Sequence, residues 1–264
     1  MKYTTKKSRP KKSLGQNYLT DENICRNIVD SFNIQPDDCI IEIGPGEGAI
    51  TRYLLEKTSN ITAVEIDENN VEMLRKKFPE LNVISEDFMK CDLHDFLLNP
   101  QSKIRNPKLR VIGNIPYNIT TDIVFKLIDN HELIEDAQLM VQDEVARRFA
   151  SAPNSKEYGI PSIMVQVFSE PKLLFKVLRT CFYPKPRVDS RIIHFDFRKN
   201  KLSQINDIIF FRKFVKAAFS TRRKMLSNSL KKLELDLSKS TIDFKRRAES
   251  LSVDEFIELG NTFS

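Results

Sequence analysis

The sequence predicts an α/β protein: a mostly parallel sheet with helices on both faces, followed by a small all-α region. Three observations lead there. From Asp37 to Phe197, apolar runs of strand length alternate with segments of helical period, the pattern of successive βαβ units. The strand runs are apolar along most of their length, which suits a sheet covered on both sides. Beyond about Lys199 the β-branched runs vanish and helical spacing takes over.

Taken in order, strands are predicted at 39–43, 61–65, 82–85, 109–113 and 137–142. The first enters a glycine-rich turn, Gly44-Pro45-Gly46-Glu47-Gly48, and then a helix over 49–57. After the fourth, Ile119, Ile123, Val124, Leu127 and Ile128 recur at helical spacing, with Thr120 or Thr121 available as a cap. Runs at 172–178 and 191–197 supply the last strands. Pro184-Lys185-Pro186 between them is predicted to be an extended loop, because proline disfavours helix in the residue before it. Phe210, Phe211, Phe214, Val215, Ala218 and Phe219 then mark an amphipathic helix, and Ser252 with Glu255 forms a capping box ahead of Phe256, Ile257 and Leu259. The expected division is an α/β domain over 1–199, with a basic tail at 1–12, and a helical domain over 200–264.

Composition narrows the class. With 41% hydrophobic and 30% charged residues, the 264-residue chain has enough apolar material for one large domain and one small one. No run of roughly 18 apolar residues occurs, and the N-terminus lacks the apolar core and cleavage site of a signal peptide. A cytoplasmic protein without a membrane partner is expected. Cys25, Cys39, Cys91 and Cys181 are scattered without C-x-x-C spacing, which favours free thiols. Cys91 and His94 are the one close Cys/His pair, so no metal is expected. Lys and Arg outnumber Asp and Glu by 42 to 36, and the excess is concentrated. Lys2, Lys6, Lys7, Arg9, Lys11 and Lys12 form one cluster; Arg222, Arg223, Lys224, Lys231 and Lys232 form another. Each reads either as solvated surface or as a set of contacts to a phosphate backbone.

The chemistry is carried at strand ends. Glycines at 44, 46 and 48 let backbone approach a ligand closely. Alone, such a turn serves nicotinamide enzymes equally well. Glu65 closes the second strand, where a carboxylate can accept bonds from ribose hydroxyls. The third strand ends in Glu86-Asp87-Phe88, placing an acceptor for an adenine amine beside a ring. Nicotinamide enzymes have no regular use for that third acid. The ordered set resembles the class I methyltransferases, Rossmann-like proteins that bind S-adenosylmethionine at the carboxyl ends of their sheet.

After the fourth strand comes Asn114-Ile115-Pro116-Tyr117. The Asn114 side-chain oxygen and the Ile115 carbonyl can both accept hydrogens from an NH₂ group, and Tyr117 can stack on its ring. Adenine offers that amine on a flat aromatic system. Two acceptors that hold and aim it lower the barrier by orientation and electrostatics, with no dedicated base.

Together with these segments, 12–19 (Lys12-Ser13-Leu14-Gly15-Gln16-Asn17-Tyr18-Leu19) and 182–190 (Phe182-Tyr183-Pro184-Lys185-Pro186-Arg187-Val188-Asp189-Ser190) resemble the signature segments of the ribosomal RNA adenine N6-dimethyltransferases. The likeness runs over about 200 residues. It implies that Asn17, Leu19, Gly44, Glu65, Asp87 and Asn114 line the cofactor pocket. Asn114 and Tyr117 would face the target base, and Phe182 would stack on its other side. Within that family, 153–159 and the Val188-Asp189-Ser190 ending look like the KsgA-type branch, whose members dimethylate two adjacent adenines near the 3′ end of small-subunit 16S rRNA. The alternative is the Erm-type branch, which methylates one large-subunit 23S adenine and confers macrolide resistance. Tyr18 departs from the phenylalanine common in the family but keeps the ring. The resemblance implies a monomer acting on rRNA within an immature small ribosomal subunit. A dehydrogenase would leave 114–117 unexplained, and a catalytically silent nucleic-acid-binding cousin would be expected to have lost Asn114 or Tyr117; both are present.

Overall fold

The computed structural model describes residues 10–11, 14–97, 108–221 and 223–264. Lys2, Lys6, Lys7, Arg9, Lys12 and Arg222, six of the clustered cations, lie outside the described residues. A two-residue strand β1 (Tyr18–Leu19) leads into α1 (Glu22–Phe32), started by Asp21, whose carboxylate accepts from the amides of Asn23 and Ile24. Then follow β2 (Cys39–Ile43), α2 (Thr51–Leu54), β3 (Ile61–Glu65), α3 (Glu68–Lys77), β4 (Asn82–Ser85), β5 (Leu109–Asn114), α4 (Thr120–Asp129) and β6 (Ile134–Gln142). After α5 (Asp143–Phe149) and α6 (Ile160–Phe168) come β7 (Glu170–Val177), β8 (Phe182–Tyr183) and β9 (Ser190–Asp196), then α7 (Ile208–Ala218), α8 (Leu226–Leu230) and α9 (Val253–Phe263).

Among the described residues seven strands form one sheet in the order β4-β3-β2-β5-β6-β9-β7, and β8 pairs with β1 in a separate two-stranded ladder. Neighbours from β4 through β6 run parallel. The chain builds outward from β2 to β4, then returns and continues from β5 to β6 on the other side. The order therefore reverses between β2 and β5. At such a switch point the loops leaving two adjacent strands diverge and open a crevice at their carboxyl ends. The strands on either side are mostly apolar, with Ile40, Ile41, Val111 and Ile112 buried, and carry buried Glu42 and Arg110 between them.

Departures from the expected elements have physical causes. β6 begins at Ile134, three residues before the predicted start, because Asp136 breaks the apolar run although it is buried. Its oxygens accept from Arg110 Nε at 2.8 Å and Nη2 at 2.7 Å, and lie 2.9 Å from His194 Nε2. Burial opposes the charge of Asp136, but these bonds outweigh it and hold the carboxyl below its usual range. The helix expected over 49–57 is regular only at Thr51–Leu54, since no side chain caps its start. Neither Thr120 nor Thr121 caps α4: the N-cap is Ile119, and the Thr120 hydroxyl donates to the Pro116 carbonyl at 3.2 Å. The Ser252–Glu255 capping box forms as expected.

The chain makes two compact units, one of Met1–Asp143 with Leu174–His194, the other of Glu144–Leu173 with Phe195–Ser264. These limits differ from the expected boundary at 199/200: the helical unit also takes α6 and its flanks. Its core holds Phe211, Phe214 and Phe256, with Phe214 and Phe219 rings 6.4 and 5.8 Å from that of Phe256. Val167, on α6, accepts from the Lys201 amide, and Arg212 lies over the Phe168 ring. The four cysteines are free. Among the described residues no helix is long and apolar enough to cross a membrane.

Candidate active site

The crevice at the switch point is a cavity of about 240 Å³ in the first unit. Its floor is the turn after β2. Gly44, Gly46 and Gly48 take φ of +62°, +58° and +76°, the left-handed region that side chains resist. Their surroundings differ. A Cβ on Gly48 would come within 2.5 Å of Phe78, and one on Gly46 within 2.9 Å of Tyr18. Gly44 has room, its nearest protein atom being the Asn114 carbonyl oxygen at 3.9 Å, and the empty side faces the cavity. Packing thus demands glycine at 46 and 48, whereas at 44 bare backbone is presented to a ligand.

Glu65 ends β3 at the cavity wall and is buried. Its Oε2 accepts the Gly46 amide at 3.0 Å and its Oε1 the Asp67 amide at 2.8 Å, so the carboxylate orders the glycine turn while keeping lone pairs for a ligand. Burial raises its pKa, and the two amide bonds oppose the rise. Asp87 lines the cavity after β4; its Oδ1 accepts from the Met89 amide at 2.9 Å, turning the chain so that Phe88 also lines the wall.

Asn114, the last residue of β5, donates from Nδ2 to the Asn17 carbonyl at 2.9 Å. That bond fixes the amide and leaves Oδ1 as an acceptor. Asn17 is in turn held by its own Nδ2 bond to the Gly15 carbonyl. Tyr117 hydrogen-bonds the Ser190 hydroxyl at 2.7 Å, and burial raises its pKa although that bond opposes the rise. Its ring position is therefore pinned from β9.

Asn17, Leu19, Gly44, Glu65, Asp87, Asn114 and Tyr117 all line this one cavity, although 100 positions separate the first from the last. Phe182 does not. It is 5% exposed, belongs to the apolar core, and pairs in the β1–β8 ladder with Leu19, which lines the cavity. Lys11, counted above among the phosphate candidates, donates to Asp67 Oδ1 at 2.7 Å. Asp67 also accepts from Gln16, so this cation is committed within the fold.

Some lining residues had no role from sequence. Ile66 is 49% exposed on the cavity wall and is signalled only by following Glu65. Glu42, on β2, is buried; its Oε2 accepts from the Thr51 hydroxyl at 2.6 Å, and burial pushes its pKa up to about 7. Asn70, on α3, reaches Glu65 and Tyr18, and no sequence pattern marks it.

A mostly parallel sheet with this order, a glycine turn after β2 and an acid closing β3 define a class I methyltransferase. The chain belongs to the ribosomal RNA adenine dimethylase family, whose model matches residues 7–264. It is 48% identical over 94% of its length to a protein of Chlorobium phaeobacteroides (strain BS1) named ribosomal RNA small subunit methyltransferase A, and covers 92% of that protein. A protein of the same name from Francisella tularensis subsp. novicida (strain U112) is 41% identical, with both chains covered in full. Solved structures share the fold. A dimethyladenosine transferase from Plasmodium falciparum superposes with a TM-score of 0.75 at 23% identity, covering 91% of this chain and 95% of that one. The 23S rRNA methyltransferase ErmE gives 0.69 at 24%, covering 93% and 99%.

Proposed function

We propose that this protein uses S-adenosylmethionine to dimethylate the N6 amines of two adjacent adenines near the 3′ end of small-subunit 16S rRNA. It would act in the cytoplasm, as a monomer, on immature small subunits during ribosome biogenesis. The observation that carries the chemistry is Asn114, locked by Asn17 with its oxygen free to accept, at the mouth of the same cavity as Asp87 and Glu65. The small-subunit assignment is supported by the names of the relatives at 41–48% identity.

The cavity fits the cofactor: its floor is open at Gly44, two carboxylates stand on its wall, and Ile66 offers an apolar face. In this reading Glu65 holds the ribose hydroxyls and Asp87 the adenine amine, and Asn17, Leu19 and Gly44 complete the wall. Bound there, S-adenosylmethionine supplies an electrophilic methyl group. Asn114 Oδ1 and the Ile115 carbonyl accept the hydrogens of the target amine and draw its nitrogen toward a tetrahedral shape, while Tyr117 stacks on the base. Once alkylated, the nitrogen is acidic and its proton passes to solvent, so no side-chain base is required. Phe182 enters this scheme from the family resemblance, as the ring on the base's other face; its buried position lends it no geometric support. The helical unit, carrying Arg223 and Lys224, is proposed to read the folded RNA around the target.

The test uses methyl-labelled S-adenosylmethionine with small subunits lacking the modification and, separately, large-subunit RNA. Mass spectrometry of the digested RNA is expected to show dimethyladenosine at two neighbouring small-subunit positions. Label on a large-subunit adenine, with none on the small subunit, would overturn the assignment in favour of the resistance-type branch.

A further inference from the structure

Asp87 and Phe88 sit on a turn that has little regular structure of its own. Between Glu86 and Cys91 the chain leaves β4 and folds back through the Lys90–Asp87 and Cys91–Phe88 amide-to-carbonyl bonds of 2.8 and 3.3 Å. Those bonds use the carbonyls of Asp87 and Phe88 and not those of Met89 and Cys91. One side chain collects both. Lys126, on α4, donates from Nζ to the Met89 carbonyl at 3.0 Å and to the Cys91 carbonyl at 2.6 Å, and the same ammonium lies 5.3 Å from the centroid of the Phe88 ring.

An ammonium has three donors and a compact charge, so it can bridge two carbonyls and also face a ring, which a neutral aliphatic chain cannot do. Lys126 is half-buried, and charge-assisted bonds of that length are stronger than neutral ones. The helix that carries it begins three residues after Tyr117. Thus the helix following the Asn114–Tyr117 loop also grips the turn that carries Asp87 and Phe88, and both segments line the cavity.

We propose that Lys126 is a positioning residue for recognition of the cofactor's adenine: by gathering the Met89 and Cys91 carbonyls it fixes the turn that presents Asp87 and Phe88 to the cavity. This role rests on the reading of Asp87 as the acceptor for the adenine amine. Lys126 touches neither cofactor nor RNA in this scheme. Its effect is on how well the site distinguishes an amine at position 6 of the purine from other groups.

S-adenosylhomocysteine and S-inosylhomocysteine, which carries a carbonyl in place of the amine, provide the probes. Their affinities are measured by calorimetry for the full-length protein and for Lys126→Met, Lys126→Arg, Asp87→Ala and the Asp87→Ala/Lys126→Met double variant. The readout is the ratio of the two affinities, which is unaffected by any fraction of unfolded protein and is not moved by loss of stability alone. Lys126→Met is expected to lower the preference for the adenosyl compound roughly tenfold, with Lys126→Arg restoring most of it, and to add little once Asp87 is gone, as groups acting through one another do. The turnover of a saturated enzyme should change far less than its KM for S-adenosylmethionine. An unchanged preference in Lys126→Met alongside a reduced one in Asp87→Ala would overturn the role of Lys126 while leaving the site reading intact. An unchanged preference in Asp87→Ala would instead overturn the adenine reading, and the role of Lys126 with it.

Discussion

At the residue scale the site depends on groups whose orientation is already settled before anything binds. Asn114 spends its NH₂ on the Asn17 carbonyl, so rotation of the amide is closed off and the oxygen stays aimed as an acceptor. Asn114→Ala is expected to lower single-turnover methyl transfer about a hundredfold or more, as loss of one transition-state hydrogen-bond partner does elsewhere, while S-adenosylmethionine affinity falls much less. Normal rates in that variant would remove Asn114 from the chemistry. Glu42 gives a second prediction, on stability. Burial pushes its carboxyl from 4.5 to about 7, so the folded chain holds this proton more tightly than the unfolded chain does. That contribution is complete below pH 4.5 and is lost as pH rises through about 7. Urea midpoints of the cofactor-free protein should therefore fall less between these pH values in Glu42→Gln than in the parent. Identical slopes would show that Glu42 is not held neutral.

At the scale of elements, the strand–turn–helix unit β2-turn-α2 combines two demands on one stretch. Gly48 is left-handed and its α-hydrogen faces Phe78 at the end of α3, so the turn is closed by packing against the next βα unit. Gly48→Ala combines backbone strain with a methyl 2.5 Å from an aromatic carbon. A loss of roughly 1–3 kcal/mol is expected from the strain alone, read as a lowered denaturant midpoint with an unchanged slope. A parent-like midpoint would mean that the turn relaxes freely. Gly44 makes the contrast: a methyl there carries the same backbone strain but meets only the Asn114 carbonyl oxygen at 3.9 Å, so its substitution should cost the fold less than Gly48→Ala does while also weakening cofactor binding.

At the scale of the whole molecule, the net charge of +6 is not spread evenly, and the structure pairs one of its clustered cations with an acid of the fold. Lys11 is tied to Asp67, where its bond to the carboxylate raises its own pKa. A deletion that tests the tail as a phosphate-binding arm should therefore stop at Arg9. Removing residues 1–9 is expected to flatten the logarithmic salt dependence of RNA binding by about 0.7–0.9 for each phosphate that is no longer neutralised, with cofactor affinity preserved. An unchanged salt slope would make the tail a solvated surface. The helical unit needs a different approach. Cutting after Lys199 would take away Phe211, Phe214 and Phe256 but leave behind Tyr158 and Phe168, which pack within the same unit. The truncated chain is expected to melt early or aggregate, so charge-reversing substitutions at Arg223 and Lys224 are the sounder probes of RNA selection. A soluble truncation with parent-like melting would show that the unit is separable at 199 after all.

The sequence by itself determined the α/β class, the five parallel strands, the glycine turn and seven of the eight predicted site residues as neighbours of one cavity. These are properties of short segments: uninterrupted apolar runs mark covered strands, and in a parallel sheet the ends of those strands lie side by side. What depended on partners distant in the chain was decided only by the tertiary structure. Asp136 reads as a break in a strand until the Arg110 guanidinium pairs with it and His194 hydrogen-bonds it. Phe182, assigned to the base's far side only through the family resemblance, is placed among the apolar core residues, paired with Leu19. Lys126 acquires its partners only where two carbonyls from 35 and 37 residues earlier in the chain converge on it. In each case burial or pairing changes what a polar or aromatic side chain can do, and neither is encoded within the local window around that residue.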